Sequence, residues 1–202
     1  MNETKYEKIM KRLRNDYSEE KEMNRIAQFE KVSFEQFYGA IKDMIADANI
    51  KGTYTEEQIK ENVRKLYDEI TLPERATKDS AGYDIKSPID FELPPHTSIK
   101  IPTGIRVKME EGWVLKVYPR SGLGFKYRLQ LDNTVGVIDG DYYYSDNEGH
   151  IFLKMTNDGK ERTLTVNVWD RVAQGIFVPY GITYDDNATG IRNGGFGSTG
   201  NQ

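Results

Sequence analysis

The chain has 202 residues, of which 30% are charged and 37% are hydrophobic, and its formal net charge is −4. This is the composition of a globular protein, and the length allows one ordinary domain with an appendage. The acidic balance argues against a nucleic-acid partner held by phosphate neutralisation. With no cysteine and two histidines, disulfides and thiolate chemistry are excluded, and a Ser-His-Asp triad has little to draw on.

Hydropathy indicates that the chain does not contact a membrane. No apolar run approaches the roughly 18 residues that a membrane helix needs. The first residues are charged throughout, and no secretion signal is recognisable. We therefore expect a cytoplasmic protein.

The glycine and proline content of the sequence changes near residue 70. Residues 1–70 contain two glycines and no proline, whereas the rest contains the other 16 glycines and all seven prolines. Helix-breaking residues that are scarce on one side and dense on the other predict an all-helical arm followed by a turn-rich β body. The core of the body does not require this arm, whose simplest role is to pack against the body.

Apolar residues at helical spacing predict three helices in the arm. The first covers Tyr6 to Tyr17. The second begins after Ser33, with Gln36 three residues on, and the third begins after Thr55, with Gln58 at the same spacing. Both spacings are typical of a capping box. Each apolar stripe is narrow, so these helices must pack against something larger.

Short runs of β-branched and aromatic residues predict strands throughout the body. Glycine, proline, asparagine and aspartate separate them, and no long helical pattern lies between them. This pattern favours an antiparallel sandwich or barrel over a parallel βαβ sheet. The predicted runs are 99–105 with Val107, 113–118, 151–155, 164–169 and 172–178.

A first candidate site lies in residues 119–126. Arg120, Ser121 and Gly122 follow a predicted strand and place a cation, a hydroxyl and flexible amides together. Such an arrangement suits an anionic phosphate chain. An ordinary glycine turn with a surface arginine has the same sequence.

A second candidate site is Asp139, which stands between an apolar pair and a glycine in residues 133–144. A carboxylate here could hold a water for in-line attack, and a hairpin could present backbone groups to a base. The alternative is an Asp-Gly turn that joins two strands.

A third candidate is the glycine-rich tail. Residues 195–200 match G-x-G-x-x-G, but a dinucleotide-binding motif must open a helix, and only two residues follow. Arg192, Phe196, Ser198 and Thr199 would instead suit a flexible clamp over a nucleoside triphosphate. The alternative is a disordered polar tail. We expect residues 190–202 to be mobile without ligand.

Taken together with two further segments, these sites resemble a known family. The two segments are Ala81-Gly82-Tyr83-Asp84 and Asp170-Arg171-Val172-Ala173-Gln174. In order and spacing, the five segments resemble the motifs of the trimeric all-β dUTPases, over about residues 71–202. The resemblance implies a mainly β fold, with a dUTPase-like antiparallel β-barrel or jelly-roll body and an N-terminal α-helical extension. We therefore divide the chain into a helical arm (1–70), a β body (71–189) and a flexible C-terminal clamp (190–202).

The resemblance also implies an activity and a set of site residues. The activity is hydrolysis of dUTP to dUMP and pyrophosphate by water attack on the α-phosphate, which keeps uracil out of DNA and supplies dUMP for dTMP synthesis. Asp139 would orient or deprotonate the water, and Tyr142 would pack on deoxyribose and leave no room for a 2′-hydroxyl. The other implied substrate-binding residues are Arg120, Ser121, Gly122 and Gln174 at the phosphates, Asn133, Val137, Ile138 and Phe152 around the base, and Arg192, Phe196, Gly197, Ser198 and Thr199 in the clamp.

A metal ion and an assembly follow from the same resemblance. The cofactor would be Mg²⁺, bound mainly by the three phosphates, with Asp84 supporting the site and the water shell of the metal. The protein would be a homotrimer with shared active sites, in which Phe196 closes over the uracil of a neighbouring chain. A protein partner of the helical arm is left open.

The sequence departs from the family pattern at four places. Tyr144 stands where a glycine is usual, and a longer turn, 145–149, follows it. Trp169 replaces the glycine that normally begins the fourth motif. Arg192 lies four residues before Phe196, where five is common, which weakens its assignment to the γ-phosphate.

Two alternative functions stay open. A relative of the dCTP deaminases would share the fold, but deamination without zinc needs a glutamate-centred base site, so Asp139 argues for hydrolysis. A dUTP-sensing regulator would keep the β body and use the helical arm to bind a protein partner.

Overall fold

The computed structural model describes residues 24–47 and 54–190, together with Thr4, Tyr6, Glu7, Met10 and Arg192. The first predicted helix therefore falls largely outside the described residues. The same holds for most of the predicted clamp, including Phe196, Gly197, Ser198 and Thr199. In the part of the chain that is described, no helix is long and apolar enough to cross a membrane.

The second and third predicted helices are present as α1 (Phe34–Asp47) and α2 (Glu56–Glu69). Helix α2 begins with the predicted capping box. The Thr55 hydroxyl accepts a hydrogen bond from the Gln58 amide at 3.3 Å, and the Gln58 side chain accepts one from the Thr55 amide at 2.9 Å. The two contacts satisfy amides that a helix start would otherwise leave without partners.

Helix α1 is capped differently from the prediction. The Ser33 hydroxyl accepts from the Gln36 amide at 3.1 Å, as expected. The reciprocal contact is made by another residue, because the Ser33 amide donates to Oε2 of Glu148 at 2.7 Å. A carboxylate 115 residues away in sequence therefore completes the cap.

The prediction of an all-helical arm is wrong at Ala27–Lys31, which forms strand β1. This strand pairs antiparallel with strand β6 (Ile105–Met109), from Ala27 opposite Met109 to Lys31 opposite Ile105. Phe29 is the single large apolar residue of β1 and is buried. A strand with one apolar anchor and charged neighbours carries little periodic signal, so its partner decides its structure.

The body consists of short antiparallel strands, and every pairing among the described residues is antiparallel. The largest sheet has the order β2-β3-β12-β7-β9, and the others are β5-β10-β8, β11-β4 and β1-β6. This confirms the mainly β antiparallel fold with a helical extension. The remaining elements are β2 (Glu74–Arg75), β3 (Tyr83–Lys86), β4 (Phe91–Leu93), β5 (Ser98–Pro102), β7 (Trp113–Pro119), α3 (Ser121–Tyr127), β8 (Leu129–Leu131), β9 (Gly136–Ile138), a 3₁₀ helix (Gly140–Tyr144), β10 (Phe152–Asn157), β11 (Leu164–Val166) and β12 (Arg171–Pro179).

The predicted strand 99–105 is two strands, β5 and β6, which belong to different sheets. Gly104 lies between them with φ +72°, a conformation that favours glycine. A Cβ at this position would lie 2.4 Å from Cδ1 of Ile70 and 3.1 Å from the ring of Phe37. The arm therefore packs directly on the backbone where the body changes sheets.

One hydrophobic core joins the arm to the sheets. Phe37 and Val32 are fully buried, as are Ile101 and Leu115 of the body. Burial of such side chains contributes about 1.5–3 kcal/mol each, so the core stabilises both parts together. Its members include Phe29, Val32, Phe34, Phe37, Ile41, Val63 and Ile70 from the arm and Ile85, Ile101, Leu115, Leu153 and Val172 from the body.

Candidate active site

A cavity of about 350 Å³ lies between β9, the 3₁₀ helix and β10. Six of the residues predicted to bind substrate line it together, although they come from five different stretches of the chain. A concave, largely apolar pocket with a few polar groups is the usual form of a small-molecule site. The six are Asn133, Val137, Ile138, Tyr142, Phe152 and Arg192, and the remaining walls include Val117, Leu131, Lys154 and Asp132.

The turn that carries Asn133 is tight but does not join a hairpin. The Thr134 amide donates to the Leu131 carbonyl at 2.8 Å, and Thr134 has φ +64°. The strands on either side pair with different partners, β8 with β10 and β9 with β7. The predicted hairpin is therefore wrong, because the turn crosses from one sheet to another and so opens the cavity between them.

Asp139 lies immediately before the 3₁₀ helix, and its carbonyl accepts from the Tyr142 amide at 3.2 Å. Its carboxylate side chain is 46% exposed, so water reaches it. Arg192 forms an ion pair with it through Nη2, and Nε of the same guanidinium lies 2.9 Å from Asp141. Sequence reasoning missed Asp141, although an acidic residue two positions after Asp139 was a visible signal.

Tyr142 is buried and held at its hydroxyl. The hydroxyl donates to the His150 carbonyl at 2.7 Å and accepts from Nδ2 of Asn147 at 2.8 Å. Burial raises the pKa of Tyr142, so the phenol stays protonated at neutral pH. The ring therefore forms a fixed wall of the cavity.

The predicted phosphate-binding residues form a second cluster, at the end of β7. Asp84 in β3 holds two guanidinium groups, with Oδ1 3.3 Å from Nε of Arg120 and Oδ2 3.1 Å from Nη1 of Arg171. Gln174 in β12 lies opposite Asp84 in the strand register, and its amide donates weakly to the Pro119 carbonyl at 3.5 Å. The cluster fixes Arg120 at the surface with its remaining N–H groups available.

Ser121 and Gly122 open helix α3, where a glycine loop was predicted. Both are exposed, and a Cβ at Gly122 would meet nothing within 4 Å. Because the first amides of a helix have no intrahelical carbonyl to bind, they still point outward next to Arg120. The prediction of a flexible loop is wrong, but the donors are present.

The two clusters lie far apart within one chain. Ile138 pairs with Leu115 in β7, so Asp139 lies beyond that end of the pairing, whereas Arg120 directly follows Pro119. Along a strand that rises about 3.3 Å per residue, the separation is roughly 20 Å. This backbone separation places Asp139 and Arg120 of one chain at opposite ends of β7.

The donor set can be compared with what a metal ion requires. Among the described residues, no group of three or more His, Asp and Glu side chains could hold a metal. Both oxygens of Asp84 are already in ion pairs. These residues fit an ion bound mainly by substrate oxygens, since Mg²⁺ keeps several non-protein ligands in such sites. A contact of Asp84 with the metal's water shell stays a prediction.

Trp169, which stands where the family motif has glycine, has a backbone conformation that favours glycine. Its φ is +68°, in the left-handed region. The indole Nε1 donates to Oε2 of Glu69 in helix α2 at 3.2 Å. A position where glycine would be unstrained therefore carries a large side chain that contacts the arm.

Comparisons with known proteins agree with this geometry. The family model described as dUTPase matches residues 68–200. The deoxyuridine 5′-triphosphate nucleotidohydrolase of Lactococcus lactis subsp. lactis is 43% identical over 134 residues, which make up 65% of this chain and 89% of that protein. The protein of the same name from Haemophilus influenzae (strain PittEE) is 38% identical over 146 residues, covering 68% of this chain and 93% of its own.

A solved structure gives the same result for the fold. The crystal structure of dUTPase from Streptococcus mutans superposes with a TM-score of 0.52 at 42% identity and covers 57% of this chain and 91% of that one. The family model begins at residue 68, so its match leaves out residues 1–67 of the arm. The motifs, the antiparallel fold and these matches together establish that this chain belongs to the dUTPase family.

Proposed function

We propose that this protein hydrolyses dUTP to dUMP and pyrophosphate. The observation that carries the proposal is the cavity walled by Asn133 and Tyr142, with Asp139 held beside it through Arg192. The relatives whose names state this activity match about two thirds of this chain, and the family model matches the β body. The reaction would remove dUTP before it reaches DNA and would supply dUMP, and we expect it to take place in the cytoplasm.

Asp139 is the residue to which we assign the water. Its half-exposed carboxylate can accept a hydrogen bond from a water molecule and take up its proton as the oxygen attacks the α-phosphorus. The bond from that phosphorus to the bridging oxygen of the β-phosphate breaks, and pyrophosphate leaves. Arg192 pairs with one oxygen of Asp139, and the γ-phosphate offers the guanidinium an alternative anion, which would leave both carboxylate oxygens open to the water.

Recognition of the base and sugar falls to the cavity. Asn133, Val137, Ile138 and Phe152 line the cavity, and we assign to Asn133 and the backbone of Val137 and Ile138 the donors and acceptors for uracil, and to Phe152 the apolar side. We assign deoxyribose to the ring of Tyr142, because a fixed wall excludes an added hydroxyl sterically. A buried ring held by two hydrogen bonds is suited to that role.

We propose Mg²⁺ as the cofactor, held mainly by the triphosphate. The ion would neutralise phosphate charge and so make the α-phosphorus more open to attack. Arg120, Ser121, Gly122 and Gln174 would bind the phosphates directly. Asp84 would act by holding Arg120 in place and by contact with the metal's water shell.

We further propose a homotrimer in which neighbouring chains complete each site. The separation of roughly 20 Å between Arg120 and Asp139 along β7 supports this assembly. After β12, Tyr180 and Ile182 are 53% and 75% exposed, and Tyr184 is fully exposed. Large apolar side chains in sequence at the surface favour a contact with another chain. That contact would carry the clamp, 190–202, beyond the arm (1–70) and body (71–189) of its own chain to a neighbouring site.

Substrate choice tests the activity. Purified protein is incubated with dUTP, dCTP, dTTP or UTP, and both pyrophosphate and ammonia are measured. We expect pyrophosphate from dUTP alone. Ammonia from dCTP would show that the protein is a deaminase and not a dUTP hydrolase. Tight binding of dUTP without turnover would indicate a regulator.

Mixed trimers test the shared site. Arg120→Ala and Asp139→Asn chains, each inactive alone, are unfolded and refolded together in equal amounts. If the two residues serve a site from different chains, about a quarter of the sites regain both wild-type residues. If both act within one chain, no site recovers, and the mixture stays as inactive as its components.

A further inference from the structure

The residues around Tyr142 form a turn that fixes the tyrosine. The Ser145 hydroxyl donates to the Tyr142 carbonyl at 2.6 Å, and Asn147 and His150 bind the Tyr142 hydroxyl. The same Asn147 side chain accepts from the Gly149 amide at 3.2 Å. The position of the tyrosine ring therefore depends on the position of residues 145–150.

This turn is packed tightly onto the backbone of the tyrosine. Glu148 and Gly149 have φ values of +58° and +70°, so the chain turns sharply there. A Cβ at Gly149 would lie 2.7 Å from Cα of Tyr143 and 2.9 Å from the carbonyl oxygen of Tyr142. Any displacement of the turn would be transmitted to Tyr142, because no space separates them.

The arm contacts this turn at Glu148, through Ser33. The Ser33 amide donates to Oε2 of Glu148 at 2.7 Å, and its hydroxyl donates to Oε1 at 2.6 Å. Both carboxylate oxygens are thus used in one bidentate contact, a geometry that restricts orientation as well as distance. The start of helix α1 and the turn are fastened to each other.

A second contact of the arm joins Glu30 in strand β1 to Tyr143, the residue directly after Tyr142. The Tyr143 hydroxyl donates to Oε2 of Glu30 at 2.8 Å, and Nη2 of Arg106 lies 3.0 Å from the same oxygen. The guanidinium of Arg106 also lies over the Tyr143 ring, 4.4 Å from its centroid. Arm residues therefore contact the chain at two points after Tyr142, at the adjacent Tyr143 and at Glu148.

We propose that the arm positions the sugar-binding tyrosine, with Ser33 and Glu30 as positioning residues that set discrimination against ribose. The proposal rests on the assignment of deoxyribose to Tyr142. Ser33 and Glu30 precede the part of the chain that matches the family model, and Glu148 lies in the turn that departs from the family pattern. The added turn and the added arm are thus each other's partners.

The expected effect is on specificity rather than on the chemical step. Without the Ser33–Glu148 contact, residues 145–150 become more mobile. The Tyr142 ring can then move aside for a 2′-hydroxyl. The ratio of kcat/KM for dUTP over that for UTP should fall about tenfold, mainly through a lower KM for UTP. kcat for dUTP should stay within about twofold, since Asp139 contacts neither residue.

The test compares two helix caps of the same arm. Ser33→Ala and Thr55→Ala each remove the capping hydroxyl of a 14-residue helix, but Thr55 does not contact the turn. Both variants should lose thermal stability, and Ser33→Ala should lose more, because it also removes the hydrogen bond to Glu148. We expect the dUTP/UTP ratio to fall in Ser33→Ala and to be unchanged in Thr55→Ala, with recovery in Ser33→Thr.

Further variants keep the test decisive if Ser33→Ala folds poorly. Glu148→Ala should lower the ratio as Ser33→Ala does, and the double variant should lower it no further, because both remove one contact. Tyr143→Phe, which deletes a single oxygen, should lower it through Glu30. An unchanged ratio in Glu148→Ala and Tyr143→Phe would overturn the proposal.

A Tyr142→Leu variant separates this proposal from the function on which it rests. If Tyr142→Leu loses discrimination while the arm variants keep it, the arm does not position the tyrosine, and the sugar assignment stands. If Tyr142→Leu itself still discriminates, both the sugar assignment and the proposed role of the arm fall, even where dUTP hydrolysis is normal.

Discussion

Arg192 forms an ion pair with Asp139, the carboxylate that we assign to the attacking water. The same guanidinium reaches Asp141 through Nε at 2.9 Å. The guanidinium of Arg192 therefore pairs with the carboxylate to which we assign the water. The two acidic side chains compete with the triphosphate for Arg192.

We predict that Asp141→Asn lowers KM for dUTP by about two- to fivefold at constant kcat. An exposed ion pair contributes about 0.2–1 kcal/mol, and its loss releases Arg192 to the phosphates more easily. Steady-state kinetics at low ionic strength measure the change. Asp185→Asn is the control, since it removes the same charge from an exposed position after β12. A higher KM in Asp141→Asn would show that Asp141 itself binds substrate or metal.

The second prediction concerns Asp139→Asn. This variant should bind dUTP with nearly unchanged affinity while kcat falls by about 10²-fold or more, the scale of a positioned base. Calorimetric titration with a non-hydrolysable dUTP analogue and pyrophosphate release give the two quantities. Turnover near the wild-type rate would remove Asp139 from the mechanism.

The third prediction concerns the left-handed backbone at Trp169. Trp169→Ala loses the indole contacts and keeps the strained φ of +68°, whereas Trp169→Gly loses the contacts and relieves the strain. The glycine variant should therefore be more stable than the alanine variant by about 1 kcal/mol, measured by urea unfolding. At the exposed strand position Thr165, the order should reverse, because glycine weakens a strand interior. Equal stability of Trp169→Ala and Trp169→Gly would contradict the strain.

The fourth prediction is a pH dependence that arises from His150. Burial, aided by the charge of Lys100, lowers the pKa of His150 from 6.5 to about 3. Its Nε2 accepts from the Gly104 amide at 2.9 Å, so the neutral ring is the form that the fold uses. Below pH 6.5 His150 is protonated in the unfolded chain, but in the folded chain it stays neutral down to about pH 3. The free energy of unfolding therefore decreases as the pH is lowered through that range.

Between pH 7 and pH 5 this proton should lower the free energy of unfolding by about 2 kcal/mol. Urea unfolding at both pH values, at fixed protein concentration, measures it. His150→Gln should lose less stability over this interval than the wild type by that amount, and His96→Gln, at an exposed position, should behave like the wild type. Parallel slopes for His150→Gln and the wild type would exclude His150 as the source.

Helices α1 and α2 and the long strands could be predicted because their signals are local. The Ser33 and Thr55 caps, and the β-branched run of β7, each lie within a few neighbouring residues. Helix α3 escaped prediction because Gly122 and Gly124 weigh against a helix, although Leu123 of this helix packs against the core. Strand β1 escaped it because its partner decides its conformation.

Sequence motifs identified residues of the candidate site. They did not identify the contacts that these residues make with distant parts of the chain. Asn133, Tyr142 and Asp139 were identified from the family resemblance. The contacts of Glu30 with Tyr143 and of Ser33 with Glu148 had no signal, since the partners lie far apart in sequence. The separation of Asp139 from Arg120 depends on strand register, which single-sequence patterns do not determine.

The pairing of β1 with β6 has a consequence for how the protein is made. Met109 stands 82 positions after Ala27, so the ribosome finishes the arm several seconds before its partner strand exists, at about 5–20 residues per second. Until then Phe37 and Ile70 have no Gly104 backbone to cover them. A gene trimmed to the body that matches the family model would have the opposite problem, since it would leave β6 as an unpaired edge open to other chains. The arm and the body are therefore best inherited, expressed and engineered as one unit.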